Sequence, residues 1–167
     1  MTAERLTGAV LVLLGGAAAG LVQNRAQAGR VRLLEELDAA LGIMISEIST
    51  LQTPLPELFS RLSREGPPLL RGFFAENAEL AARGMLSDGW KDAVGRLAAG
   101  SEAESALLRL GLSLGRYDAV SQASVLETAR VQISGAADRE RVRLERQGRL
   151  LPGLGACLGA MAAILLI

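Results

Sequence analysis

LLPGLGACLGAMAAILLI, residues Leu150–Ile167, follows directly on DRERVRLERQGR, residues Asp138–Arg149. Eighteen residues without a charge come after twelve of which eight are charged. A helix apolar on every face belongs in lipid or at the centre of a large protein. A chain of 167 residues, long enough for one domain with a real core, is too small for the second. The tail therefore predicts a membrane span, and the rest of the chain divides around it.

A second uncharged run, Leu6 to Val22, covers seventeen residues near the other end. At about 1.5 Å per residue the two runs extend about 26 and 27 Å as helices, slightly short of a hydrocarbon core of roughly 30 Å. The arginine flanks set the orientation. Arg25, Arg30 and Arg32 follow the first run, and Arg139, Arg141, Arg143, Arg146 and Arg149 precede the second. Both sets belong to the middle segment, so the positive-inside rule places that segment in the cytoplasm. The expected organisation is an N-terminal transmembrane helix over 1–24, a cytoplasmic helical bundle over 25–148 and a C-terminal transmembrane helix over 149–167. The alternative is an exported helical binding protein, with Arg5 and Leu6–Leu14 as a signal peptide cleaved after Ala19 or Ala28, held by the C-terminal anchor. That arrangement puts five arginines on the wrong side of the anchor. Gly16 with Gly20, and Gly155 with Gly159, carry the small-residue spacing that lets membrane helices approach closely; they are the candidate helix-packing residues, and a homo-oligomer is left open.

The middle segment reads as helix throughout. Leu34, Leu37, Leu41, Met44, Ile48 and Leu51 recur at three- and four-residue steps and make one apolar stripe. In TLQTPLPELFSRL, Thr53 is a candidate N-cap and Pro54 suits a first turn, with Leu55, Leu58, Phe59 and Leu62 repeating the apolar face. After the Glu65–Pro68 loop, Leu69, Leu70, Phe73, Phe74 and Leu80 outline another helix that Gly84 terminates. Ser87 or Asp88 caps the next, which turns Trp90, Val94 and Leu97 inward. Ser101 with Glu104 forms a capping-box pattern before Leu107, Leu110 and Leu114. Gly115 ends that helix, and Asp118 caps the last, running from Val120 through Ile133 into the charged stretch. The fold class is all-α: a bundle of about six helices between two membrane spans.

Composition removes most enzyme chemistry. Histidine is absent, which excludes catalytic triads and imidazole-based zinc sites. No phosphate-cradling loop followed by Lys-Ser or Lys-Thr occurs, and Cys157 lies in the apolar tail without a cationic neighbour. The acidic pairs Glu35–Glu36 and Glu102 with Glu104 read as solvated helix faces. No catalytic residue, cofactor or metal site is expected. The 18 basic and 18 acidic residues cancel, which argues against nucleic acid as a partner; the arginines near Arg141 are placed to touch anionic headgroups of membrane lipids.

Four stretches in order, GAVLVLL, EISTLQTPLPELFSRL, GLSLGRYDAVSQ and the Leu-Gly-rich tail, give the chain a resemblance over essentially its whole length to the stage III sporulation protein AB family. Ser49–Gln52 stand where that family often has an aromatic residue and glycine, and Ala123–Ser124 where it often has lysine. The resemblance implies a soluble part similar to the cytoplasmic domain of the type II secretion F protein. It also implies a role as a non-enzymatic platform subunit of a transenvelope complex between mother cell and forespore. The implied partners are an AA-type secretion ATPase and other subunits of that complex, with the bundle on the mother-cell side. Thr53, Pro54, Leu55, Gly115, Asp118 and Gln122 are the interaction candidates it suggests. Trp90 and Tyr117 join them as aromatic residues near turns, with core packing as the other reading.

Overall fold

The computed structural model describes residues 26–115 and 119–166, with residue 119 and residues 147–166 described as backbone only. Every element among them is helical, and no strand occurs. Helix α1 covers 26–46 and passes into a π-helical turn, Glu47–Leu51. It is followed by α2 (Leu55–Glu65), a 3₁₀ turn (Pro68–Leu70), α3 (Arg71–Ala82), α4 (Leu86–Leu97), α5 (Ser101–Ser113) and α6 (Ala119–Leu166). One compact unit, Arg30–Asp138, contains the core. The helices of this unit are joined by short connections, and α2 packs on α3, α3 on α4, and α4 on α5.

The apolar stripes meet in one cluster. Leu34, Leu37, Leu41, Met44 and Ile48 from α1 and its π turn are buried with Leu58, Phe59 and Leu62 from α2 and Leu107, Leu110 and Leu114 from α5 and its end. Leu126, Ala129 and Ile133 bring in α6. Each fully buried large aliphatic side chain contributes about 1.5–3 kcal/mol by leaving water. Four aromatic rings occupy the α2–α3–α4 contact: Phe73 stands edge-on to both Phe74 and Trp90 with centroids 5.3 Å apart in each case, and Phe59 lies 5.7 Å from Phe74 and 6.2 Å from Trp90. Asn77 is wholly buried among these helices. Its Nδ2 donates to the Phe73 carbonyl at 2.8 Å, while its Oδ1 has no partner among the described residues.

The apolar faces match the sequence pattern, but the helix starts do not. Thr53 does not cap α2. Pro54 occupies the cap position and its carbonyl accepts from the Leu58 amide at 2.9 Å, while the Thr53 hydroxyl is turned to Glu47. Neither Ser87 nor Asp88 caps α4, which begins two or three residues earlier than that pattern requires, behind Met85; the Ser87 hydroxyl points to Asp88. The Ser101–Glu104 capping box is not formed, because Gly100, at φ 97°, takes the cap position. Its carbonyl accepts from the Glu104 amide at 2.9 Å, and the carboxylates of Glu102 and Glu104 lie in the first turn, where the helix dipole favours negative charge. Leu51, Leu69 and Val120, read as inward, are exposed. Glu36, read as a solvated acid, accepts the Leu69 amide at 2.7 Å and so ties α1 to the turn before α3.

No helix among the described residues is long and apolar enough to cross a membrane. Both predicted spans, 1–24 and 149–167, lie outside the residues whose side chains are described.

Candidate functional site: a groove without charge

The π turn after α1 sets up the site. Its last residues close on one residue, Glu47: the Gln52 amide, at a left-handed φ of 52°, and the Thr53 amide both donate to the Glu47 carbonyl, the latter at 3.5 Å. Glu47 is 9% exposed, and both oxygens of its carboxylate are engaged. Oε2 accepts the Thr53 hydroxyl at 3.0 Å, and Oε1 accepts Arg61 Nη1 at 2.7 Å, with Arg61 Nε also 3.4 Å from Glu65. A buried carboxylate is tolerable only with such partners. The consequence is a Thr53–Pro54 loop fixed from behind, with two prolines limiting its backbone in front.

That loop forms one wall of a cavity of about 520 Å³. Ile48 and residues Gln52 to Pro56 line it from the first side, Ala81, Gly84, Leu86 and Ser87 from the α3–α4 turn, Gly111, Leu114 and Gly115 from the end of α5, and Gln122 from the first turns of α6. None of these fourteen residues carries an ionisable side chain. Two glycines shape the floor. Gly115, at φ 74°, lets the chain turn where a Cβ would stand 3.5 Å from Leu55 Cδ1. Gly111 leaves room for the Trp90 indole, which a Cβ at that position would overlap.

Five of the residues singled out in the sequence thus meet in one place: Thr53, Pro54, Leu55, Gly115 and Gln122, drawn from segments some sixty positions apart, all line the groove. Trp90 does not reach its surface. It is 4% exposed, donates from Nε1 to the Leu107 carbonyl at 2.7 Å and lies behind Gly111, so its role is core packing and not an exposed anchor. Tyr117, Asp118, Gly16 and Gly20 lie outside the described residues, and Gly155 and Gly159 are described only as backbone within α6. Glu47, Arg61 and Gly111 carry no local signal for their roles, since their partners stand four or more positions away on other turns or helices. Among the described residues no group of His, Cys, Asp or Glu is placed to hold a metal ion.

A family model described as stage III sporulation protein AB matches residues 5–167. The chain belongs to the stage III sporulation protein AB family. No curated protein and no solved structure matches it. Membership of the stage III sporulation protein AB family places the chain in sporulation, and that family is one of structural or assembly proteins. The match spans the groove and both uncharged terminal runs.

Proposed function

We propose that this protein is a non-enzymatic platform subunit of the sporulation complex between mother cell and forespore, anchored by two membrane spans, with its bundle in the mother-cell cytoplasm docking a secretion-type ATPase. The observation that carries the reading is the convergence of two of the four stretches that carry the family resemblance, through Thr53–Leu55 and through Gly115 and Gln122, on one fixed groove. Catalysis is not needed to explain that convergence; a protein contact is enough. The arginine flanks at 25–32 and 139–149 support the cytoplasmic orientation.

Two measurements test it. Full-length protein in detergent is expected to retain the AA-type ATPase of the complex, and replacement of Thr53, Pro54 and Leu55 together by alanine is expected to weaken that retention at least about tenfold with an unchanged helical circular-dichroism spectrum. Retention that ignores the replacement removes this groove as the docking face. Protease access at the loop after α3 in oriented membranes reports the side on which the bundle stands; cleavage from outside the cell rejects the platform topology.

A further inference from the structure

We propose that the groove accepts an uncharged, apolar-tipped segment of a partner polypeptide, a helical turn or loop that inserts large aliphatic or aromatic side chains and brings no ionised group with it. The inference deepens the platform reading and rests on it only in taking the partner to be a protein.

Charge matching is the first argument. In a chain that is 22% charged, the groove wall has none. The ion pair behind the Thr53–Pro54 loop, Glu47 with Arg61, is spent on fixing that loop, and both Glu47 oxygens are occupied. An ionised group entering the groove would give up water against a lining that offers it no counter-charge. Acidic peptides, phosphates and lipid headgroups are therefore poor occupants, while Gln52, Ser87 and Gln122 supply neutral polar groups for orientation.

The surface around the groove is the second argument. Of eight large apolar residues exposed among the described residues, four stand within two positions of a lining residue: Leu51, Met85, Leu112 and Val120. Apolar residues exposed next in sequence to the lining of an open cavity suit a macromolecule better than a small ligand, which a pocket encloses. The wall is also preformed. Pro54 and Pro56 stiffen one side and the Trp90 ring backs Gly111 on the other, so little ordering cost falls on binding.

A benzophenone amino acid at Leu112, which is 68% exposed, reads the occupant directly in the full-length chain in native membranes. The crosslinked peptide, mapped by mass spectrometry, is expected to be one discrete segment of another polypeptide with apolar residues and no Asp, Glu, Lys or Arg at the point of attachment. Its yield is expected to fall at least about tenfold with Ser87→Lys or Gln122→Glu, and to stay level between low and high NaCl. The same probe at Val131, exposed on α6 away from the lining residues, serves as the control. Attachment to a charged segment, to lipid or to a second copy of this chain overturns the inference, as does no attachment or a yield indifferent to the introduced charges. If the segment is uncharged but belongs to something other than a secretion ATPase, this groove is not the docking face for that ATPase and this inference stands; an ATPase captured through a charged segment gives the reverse.

Discussion

Arg130 on α6 grips Asp38 on α1 across 92 positions of sequence, Nε to Oδ1 at 3.1 Å and Nη2 to Oδ2 at 3.5 Å. The guanidinium lies over Gly42, where a Cβ would come within 3.3 Å of Cζ, so the missing side chain one turn along α1 is what admits the fork. The hydrogen bond to Asp38, then its charge, holds Arg130 above the ordinary guanidinium range, against a small opposing effect of burial. A raised cation pKa contributes stability that is complete below the unfolded value and is lost only as pH rises through the folded one, which here lies in strong alkali.

Arg130→Ala is therefore expected to cost about 0.5–1 kcal/mol, a modest figure because the two side chains are 40% and 31% exposed. Urea unfolding of the full chain in detergent, in a double-mutant cycle with Asp38→Ala, measures the coupling. It should shrink as NaCl rises, and ionisation of Arg130 should leave it unchanged across neutral and mildly alkaline pH. A coupling near zero at low salt would show that the fork is geometric only.

Gly111→Ala forces a methyl into the space of the Trp90 indole and is expected to destabilise by about 1–3 kcal/mol, as overpacking does. Trp90 is the chain's single tryptophan, so its emission reports the site without labels. A red shift is expected as the ring is pushed toward water and the bond to Leu107 is lost. Unchanged emission and stability would mean the α4–α5 packing is looser than described.

Thr53 distinguishes a cap from a tether. A lost cap would cost about 1 kcal/mol and fray α2. The bond to Glu47 instead predicts that Thr53→Val leaves α2 protected while hydrogen exchange speeds up at Gln52 and Thr53, and that Glu47→Ala does the same with a larger loss of stability, about 0.5–1.5 kcal/mol, as both bonds of its carboxylate go. Faster exchange within Leu58–Leu62 instead would restore the capping role.

Asn77 offers a gain. Its carbonyl oxygen is buried without a partner among the described residues, and the Phe73 carbonyl to which it donates is already part of a helix. Replacing a poorly satisfied buried amide by an apolar side chain of similar shape is often neutral or stabilising, so Asn77→Leu is expected to raise stability by up to about 2 kcal/mol, read as a higher urea midpoint with an unchanged slope. A loss of more than about 1 kcal/mol would point to a bridging water at Oδ1.

Ala98 adopts a φ of 50°, a left-handed turn end where glycine is the usual residue. Ala98→Gly is expected to raise the melting temperature by a few degrees, equivalent to about 0.5–1 kcal/mol. A lower value would mean that the methyl's contacts outweigh its backbone strain.

Periodicity alone determined that the chain is helical and which face of each helix is apolar. Leu34 to Ile48, Leu58 to Leu62 and Leu107 to Leu114 are buried as their three- and four-residue spacing requires, because spacing along a helix is a local property that neighbours in sequence impose. Glycines at positive φ, Gly84 and Gly115, were legible for the same reason. Tertiary structure decided the rest. Thr53, Ser87 and Ser101 have the chemistry of caps, but where each helix begins depended on how the preceding helix was held, and Thr53 found a better acceptor in Glu47. No pattern along the chain could announce that Arg130 would meet Asp38, that Gly111 would make room for Trp90, or that Thr53, Gly115 and Gln122 would share a wall. Those pairings follow from which apolar faces turn toward one another, and packing settles that only once all six helices are in place.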